Sequence, residues 1–275
     1  MQRLVSHIRP RGELSVQDVR DMYSLYASYY DASSAERFAK DLAAKDWVIE
    51  LREGAALRGF TTLAVTDFAA AGARRRAIYS GDTIIHHRYW GDQALATAFC
   101  RFAGVLKSSD PDTPLYWFLI TKGHRTYRYL GAFSHRYFPN PHDPTPAEAQ
   151  ACLDVLARAR FGAAYLDARS IVHFEESRGH LKPEWAVIRP ALLARPEVRF
   201  FLERNPRYSQ GDELCCLAEL AVENLRSYAR RAFVAGFDDA SSPVSIDRGM
   251  CQALPQFSSA GAGDPARAPA LHPRA

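Results

Sequence analysis

The chain has 275 residues, of which 35 are Lys or Arg and 31 are Asp or Glu, so its formal net charge is +4 at pH 7. Hydrophobic residues make up 47% and charged residues 24% of it, which is typical of a globular protein. We expect no membrane span, because no apolar run approaches ~20 residues, and no signal peptide, because the N-terminal stretch lacks an apolar core. The net charge of the chain is too small to indicate nucleic-acid binding by itself.

The chain is predicted to begin with a strand and two helices. Residues 4–9 alternate apolar and polar side chains, as a short strand does. Ser15 is a good N-cap and Asp18 follows three residues later, so the first helix is predicted to begin there. Apolar residues at helical spacing predict a second helix over 34–45.

Three strands and another helix are predicted next. Residues 47–52 and 57–65 have the pattern of a hairpin with a turn near Gly54, and 76–87 that of a third strand. Residues 91–106 place apolar side chains on one helical face, which predicts an amphipathic helix.

The run PLYWFLIT at 114–121 is apolar throughout, which is typical of a strand buried on both faces. A helix is predicted over 124–133. The later elements are predicted as helices over 147–160, 185–193 and 219–233 and as strands over 171–174 and 198–203. This order is that of an α/β mixture with an antiparallel front half, and it is not a simple βαβ repeat.

The composition changes at residue 240. Ala, Pro, Ser and Gly supply 21 of the 36 residues from 240 to 275, and no periodic apolar pattern remains there. Such a segment cannot bury enough apolar surface to offset its ordering entropy, so a disordered tail is predicted. We expect one domain over 1–239, with a core over 4–135 and an enlarged C-terminal part over 136–239.

The five cysteines form no C-x-x-C pair and have no metal-ligand spacing with histidine. An odd number of scattered thiols favours a reducing cytoplasm over a disulfide framework. The sequence therefore predicts a cytoplasmic protein with no bound metal.

Four local motifs follow one another along these elements: HIRPRGELSVQDV (7–19), LRGFTTLAV (57–65), RYWGDQAL (88–95) and TYRYLGAF (126–133). In this order they resemble motifs of the GNAT acyltransferase superfamily. The resemblance covers about residues 4–135. It implies an α/β fold with a GNAT-like mixed sheet, in which an antiparallel front half is followed by a splayed parallel pair and helices flank both faces, here with a C-terminal extension.

Two of these motifs concern the site that the resemblance implies. RYWGDQAL lies where the family has its acyl-CoA pyrophosphate loop, Q/R-x-x-G-x-G/A. Arg88 and Gly91 match the first two fixed positions, whereas Gln93 replaces the small residue at the third. TYRYLGAF is similar to the family's Y-x-x-x-G-F, with Tyr127 in place and Phe133 one residue late.

The resemblance implies that a phosphopantetheine thioester lies where strands 76–87 and 114–121 diverge, and that an amine attacks it directly. Helix N-termini bind phosphate through free N–H groups, so the loop before helix 91–106 is expected to hold the donor. The expected donor-binding residues of that loop are Arg88, Gly91, Asp92 and Gln93. Tyr127 is the expected general acid for the leaving thiolate, the alternative being a tyrosine packed in the core.

Asp82 stands inside an otherwise apolar strand. A carboxylate in that position needs partners or a shifted pKa, which makes Asp82 a candidate base or amine-orienting group. The alternative is a structural aspartate satisfied by neighbouring N–H groups and by the hydroxyl of Ser80 or Thr83.

The segment 122–142 contains no Asp or Glu. Lys122 and Arg125 are therefore expected in a cationic rim that suits the phosphates of CoA or the acidic surface of an acyl carrier protein; the alternative is a solvated helix face. Aromatic residues crowd the same region, and a tunnel lined by them would accept a long acyl group.

Asp212 and Glu213 are expected in a capping loop, with binding of a cationic amine as the alternative.

The sequence therefore predicts a bacterial N-acyltransferase that uses acyl-CoA or an acyl carrier protein, with fatty acyl donors included, and that has no other cofactor. Its acceptor would be an amine of a small molecule or peptide. Two other hypotheses remain: a GNAT-shaped binding or regulatory protein without activity, which Gln93 favours, and, least favoured, a nucleic-acid-binding protein that uses segment 122–142.

Overall fold

The computed structural model describes residues 4–239 and 252–253. The strands are β1 (Val5–Pro10), β2 (Tyr30–Asp31), β3 (Trp47–Glu53), β4 (Ala56–Ala70), β5 (Ala73–Ile85), β6 (Leu115–Thr121), β7 (Tyr165–Leu166), β8 (Ile171–Val172), β9 (His180–Leu181), β10 (Glu213–Glu219) and β11 (Gln252–Ala253). The helices are α1 (Val16–Ala27), α2 (Ala35–Ala43), α3 (Ala94–Ser108), α4 (His124–Phe133), α5 (Ala147–Phe161), α6 (Pro183–Ala186), α7 (Pro190–Leu193), α8 (Pro196–Arg204) and α9 (Ser227–Phe237).

The main sheet has the strand order β1-β3-β4-β5-β6-β10-β8-β7. Strands β1, β3, β4 and β5 pair antiparallel, and β5 then pairs parallel with β6. The predicted fold class, an antiparallel front half followed by a parallel pair, is confirmed. The predicted tail, 240–275, lies outside the described residues except for β11, which pairs parallel with β4.

Helices cover both faces of this sheet. On one face α3, α4 and α9 pack on the sheet in the largest apolar cluster. On the other face α1 and α2 cover the front strands, and α5 covers the region of β5, β6 and β10. None of the described helices has the length and apolarity that crossing a bilayer requires.

The first two helices begin where the sequence predicts. Ser15 accepts a hydrogen bond from the backbone N–H of Asp18, whose carboxylate accepts from the Ser15 N–H in return, a complete capping box. Ser34 caps α2 with a single hydrogen bond, in which its hydroxyl oxygen accepts from the backbone N–H of Arg37. These caps fix where α1 and α2 approach the sheet.

The C-terminal part contains the errors of the sequence prediction. The strand predicted over 198–203 is helix α8, which begins with Pro196 and buries Val198 and Phe201 at helical spacing. The helix predicted over 219–233 begins only at Ser227, because ELCCLAE forms strand β10. The helix predicted over 185–193 is two single turns, α6 and α7.

Helices α3 and α9 approach each other backbone to backbone at two glycines. A Cβ atom on Gly104 would lie 2.0 Å from the carbonyl oxygen of Phe233, and one on Gly236 would lie 2.0 Å from that of Arg101. The close packing of these helices therefore depends on the absence of side chains at both positions.

We predict that Gly104→Ala lowers the free energy of unfolding by about 1 to 3 kcal/mol, because the helices must move apart and this cost exceeds the gain in helix propensity. Chemical denaturation measures the change. Gly12→Ala is the matched control, since a Cβ there meets nothing within 4 Å. Equal stability of both variants would show that the two helices separate without cost.

Candidate active site

The site forms where β5 and β6 stop pairing. They are paired from Arg76 and Leu115 to Ser80 and Leu119, and in the described chain their pairing ends there. Beyond this point β6 stays paired with β10 up to Thr121, while β5 stays paired with β4. Each strand follows its outer neighbour, so the sheet opens between them.

A β-bulge in β5 accompanies the opening. Thr62 pairs with Gly81 and Phe60 with Ile84, so one residue of β4 faces two of β5 at this point. Asp82 is one of these two residues, and its φ of 39° lies in the left-handed region. Bulges bend a strand and redirect its side chains. Here the bulge turns Asp82 toward the opening.

A cavity of about 900 Å³ occupies this opening. Its lining residues come from β5 and β6 and from helices on both faces of the sheet: α3 and α4 on one face, α1, α2 and α5 on the other. The cavity therefore passes through the sheet between the two strands. Its size is within the range of pockets for small molecules and cofactors.

Asp82 lines this cavity and has a buried oxygen without a hydrogen-bond partner. This oxygen, Oδ2, lies 3.8 Å from Nζ of Lys45, whose side chain is fully buried and is hydrogen-bonded to Asp41. An unpaired buried carboxylate oxygen in a cavity wall is an available ligand or base. Neither Ser80 nor Thr83 bonds this oxygen: Ser80 accepts from Trp117, and Thr83 bonds Thr61.

The pKa of Asp82 differs strongly from that of an ordinary aspartate. Burial raises it to about 7, with Lys45 acting against the rise and the carboxylate of Asp41 adding to it. For Asp41 itself, burial alone would raise the pKa, but Lys45 holds it below its usual range. Neutral pH is therefore where Asp82 exchanges its proton, as a general base does.

A second ion pair lies in the same cavity. Nζ of Lys122 is 3.4 Å from Oε1 of Glu213 and 5.7 Å from the ring centre of Tyr30. Burial raises the pKa of Glu213, while Lys122 opposes this rise. Glu213 is thus a cavity residue on β10 and not part of a capping loop, and Asp212 instead bonds His173 at 2.7 Å.

The part of the cavity beside α3 and α4 is mainly apolar. Trp117 donates a hydrogen bond from Nε1 to Oγ of Ser80 at 2.7 Å and packs against Phe99 and Phe133. The lining residues here are Leu95, Ala96, Phe99, Trp117, Thr126, Tyr129 and Phe133. The predicted aromatic crowding is therefore present, and it forms one wall of the cavity.

Tyr127 does not lie in the cavity wall. Its side chain is fully buried, packs against Tyr137, Phe200 and Phe201, and donates its hydroxyl proton to the carbonyl of Pro139 at 2.9 Å. The role of general acid predicted for Tyr127 is therefore corrected, because its hydroxyl group is hydrogen-bonded to Pro139 outside the cavity wall. Helical spacing explains the difference: α4 presents Thr126, Tyr129 and Phe133 to the cavity and Tyr127 to the core.

The loop predicted to hold the donor precedes α3 as expected. Gly91 has a φ of 98°, which a glycine adopts without strain. The carboxylate of Asp92 accepts from the N–H of Ala94 at 2.7 Å, and Gln93 uses its carbonyl to bond Thr97 and Tyr228. Asp92 therefore places a negative charge on an N–H that a donor phosphate would otherwise use. Arg88 is exposed in this loop.

The two cations predicted for the donor rim have other partners. Lys122 is the partner of Glu213 inside the cavity. Arg125 donates to the carbonyl of Trp185 at 2.8 Å and lies over the ring of Trp90, 4.6 Å from its centre. Lys122 therefore belongs to the polar cluster, and Arg125 connects the segment around α6 to Trp90 in the loop before α3; their assignment to donor phosphates stays a prediction.

Sequence reasoning missed several residues of the site. Asp41 and Lys45 lie on α2 and just after it and Arg160 lies on α5, outside the four motifs, whereas Tyr129 lies on α4 within TYRYLGAF. Only the folded sheet brings them to Asp82. For Tyr129, its spacing of four residues from Phe133 on one helical face was the available signal.

No family model matches the sequence, and no curated protein matches it. Solved structures to which the chain is similar include the GNAT family N-acetyltransferase YhbS from Escherichia coli in complex with CoA, with 13% identity, a TM-score of 0.33 and coverage of 48% of this chain and 71% of that chain. Arabidopsis thaliana NAA60 in complex with acetyl-CoA has 13% identity, a TM-score of 0.35 and coverage of 50% and 90%. A conserved protein from Enterococcus faecalis has 13% identity and a TM-score of 0.37; the match covers 48% of this chain and about a third, 33%, of that one.

We predict that Tyr127→Phe lowers the free energy of unfolding by about 1 kcal/mol or somewhat more, because the buried carbonyl of Pro139 loses its donor. Denaturant titration measures this change, with Tyr228→Phe as a control at a partly exposed phenol that bonds Gln93 and Thr97 on the surface. An unchanged stability of Tyr127→Phe would argue against a structural role for this hydroxyl.

Proposed function

We propose that the protein is a bacterial cytoplasmic N-acyltransferase that transfers an acyl group from a phosphopantetheine thioester to an amine. The observation that carries the proposal is the Asp82 carboxylate, which has one buried oxygen without a hydrogen bond and a pKa raised to about 7, in a cavity that opens between two parallel strands. The buried free thiols of Cys100, Cys152, Cys215 and Cys216 support a reducing compartment.

The two ends of the cavity suit the two substrates. The free edges of β5 and β6 offer backbone N–H and C=O groups to the amides of a pantetheine arm, as strand edges do for extended ligands. The apolar wall at Phe99, Trp117 and Phe133 accepts the acyl chain, fatty acyl groups included. The charged end at Asp82 and Glu213 accepts the amine of a small molecule or peptide.

The reaction needs one base and one acid. The amine nitrogen forms a bond to the thioester carbonyl carbon and gives a proton to Asp82, while the carbon–sulfur bond breaks and the thiolate takes a proton from the phenol of Tyr129. Burial raises the pKa of Tyr129, so the phenol is protonated at neutral pH and has a proton to give when the thiolate leaves. Both side chains line the same cavity.

The donor is acyl-CoA or an acyl carrier protein. Incubation of the protein with acetyl-, octanoyl- and palmitoyl-CoA, with the matching acyl carrier proteins and with a panel of amines, followed by mass spectrometry, tests the proposal. Loss of the acyl group from one donor with formation of an amide supports it. No turnover with any thioester, together with donor-induced thermal stabilisation, would favour a GNAT-shaped binding protein instead.

The pH dependence tests Asp82. Because the base must be ionised, kcat/KM should rise with pH and level off above about 7, the pKa to which burial raises Asp82. Asp82→Asn should lower kcat/KM by about 10²- to 10⁴-fold and remove this rise. Asp112→Asn, in the exposed loop before β6, is the control and should keep the wild-type profile. A rise that persists in Asp82→Asn would assign the base to another group.

The two tyrosines of α4 form a matched pair. Tyr129→Phe should lower kcat by about 10²-fold or more while KM for the donor changes little, because a proton donor is lost and an aromatic ring remains. Tyr127→Phe should retain wild-type kcat under conditions in which it is folded. Steady-state kinetics with the active donor measure both variants, and the reverse result would return the acid to Tyr127.

A further inference from the structure

Two arginines line the cavity on the α5 side of the sheet. Arg160 lies in the last turn of α5, and Arg178 lies in the segment between β8 and β9. In the described part of the chain neither has a carboxylate within 4.0 Å. By contrast Arg158, on the same helix as Arg160, is bonded to Asp167 at 2.8 Å outside the cavity.

Both guanidinium groups lie over aromatic rings; Arg160 is half-buried and Arg178 is exposed at the rim of the cavity. Cζ of Arg160 lies 3.7 Å from the ring centre of Tyr79, and Cζ of Arg178 lies 3.8 Å from that of Phe174. Stacking fixes the plane of a guanidinium and leaves the N–H groups at its edge free. This is the arrangement that binds a carboxylate through two parallel hydrogen bonds.

The other charged groups at this end of the cavity are engaged or exposed. Lys45 pairs with Asp41 and Lys122 with Glu213. Arg37 donates to the carbonyl groups of Ala32 and Ser177. The remaining two are Lys40, which is exposed and adds positive charge to the rim, and Glu36, which bonds Ser34 at the start of α2.

A short chain of contacts connects Arg160 to the base. The ring of Tyr79 that carries Arg160 also has Nζ of Lys45 5.6 Å from its centre, and Lys45 faces Asp82 at 3.8 Å. The Tyr79 hydroxyl would lie 3.2 Å from a Cβ on Gly81, the residue before Asp82. Tyr79 therefore contacts both groups: its ring lies under Arg160, and its hydroxyl lies beside Gly81, the neighbour of Asp82.

We infer that the acceptor is an amino carboxylate: its amine lies at Asp82, and its carboxylate pairs with Arg160 and Arg178. This rests on the proposed function and specifies the acceptor class of the same site. An amine alone leaves two fixed, unpaired cations in the cavity wall, whereas a molecule with an amine and a carboxylate satisfies both ends.

The test compares matched acceptors. A series of ω-amino carboxylates of increasing length is measured against the primary amides of the same length, with the donor that gives turnover in the panel of acyl-CoA and acyl carrier proteins. We expect kcat/KM for the best amino carboxylate to exceed that of its amide by about tenfold or more, the effect of one charge-assisted bidentate pair.

Variants separate the subsite from the fold. Arg160→Gln should raise KM for the amino carboxylate by about tenfold and leave KM for the amide unchanged, which also reports an intact cavity. Arg160→Lys should fall between wild type and Arg160→Gln, because it keeps the charge and loses the fork. Arg158→Gln is the matched control on the same helix and should behave as wild type. Arg178→Gln should act in the direction of Arg160→Gln.

The outcomes distinguish this inference from the proposed function. Transfer to amides and amino carboxylates with equal kcat/KM would overturn the inference and leave the N-acyltransferase in place. A preference for amino carboxylates that survives Arg160→Gln and Arg178→Gln would overturn the assignment of the subsite. No transfer to either series from any thioester would overturn the proposed function, and the inference with it.

Discussion

The site exists because two parallel strands cannot both keep their outer partners and remain paired to each other. From Arg76 to Ser80, β5 is bonded to β6, but the bulge at Asp82 bends β5 along β4 while β10 holds β6 as far as Thr121. Backbone groups at the facing edges need partners, since buried N–H and C=O groups without them cost free energy. In the proposed complex the amides of an extended pantetheine arm meet this need, so the backbone of the opening contributes to donor binding beside the side chains.

Charge in the opening has a second consequence. Three carboxylates and two ammonium groups lie around it, and the group that carries the imbalance is Asp82, whose pKa burial raises to about 7. A cation entering the cavity lowers the free energy of its ionised form. The polar end of the cavity therefore favours a ligand with an ammonium group, and it does so at the place where the strand edges hold the thioester in the proposed complex. The residues of this cluster are Asp41, Lys45, Asp82, Lys122 and Glu213.

The sequence predicted most of the fold because its signals are local. Ser15, Ser34 and the apolar run of β6 specify helix starts and a buried strand, and these elements occur as expected. It failed at 198–203, where a strand was predicted in place of helix α8, and at β10, where Glu213 was predicted in a capping loop. Asp82 was predicted as a candidate site residue because a carboxylate in an apolar strand can be recognised from the sequence alone, and it lines the cavity. Asp41, Lys45 and Arg160 were not, because their proximity comes from long-range pairing.

A base with a pKa of about 7 is suited to the timing of amide formation. A free ammonium is a far weaker acid than protonated Asp82, so proton transfer from it to the carboxylate is unfavourable at the start. When the neutral amine bonds to the carbonyl carbon, its nitrogen becomes positively charged and much more acidic than a free ammonium, and transfer of its proton to Asp82 then becomes favourable. An aspartate with an ordinary pKa would accept this proton less readily, whereas a more basic group would stay protonated at neutral pH. Burial and the neighbouring Asp41 raise the pKa of Asp82, and Lys45 opposes this rise, so the pKa stays between these limits. The ion pair of Asp41 and Lys45 therefore tunes the base proposed on β5.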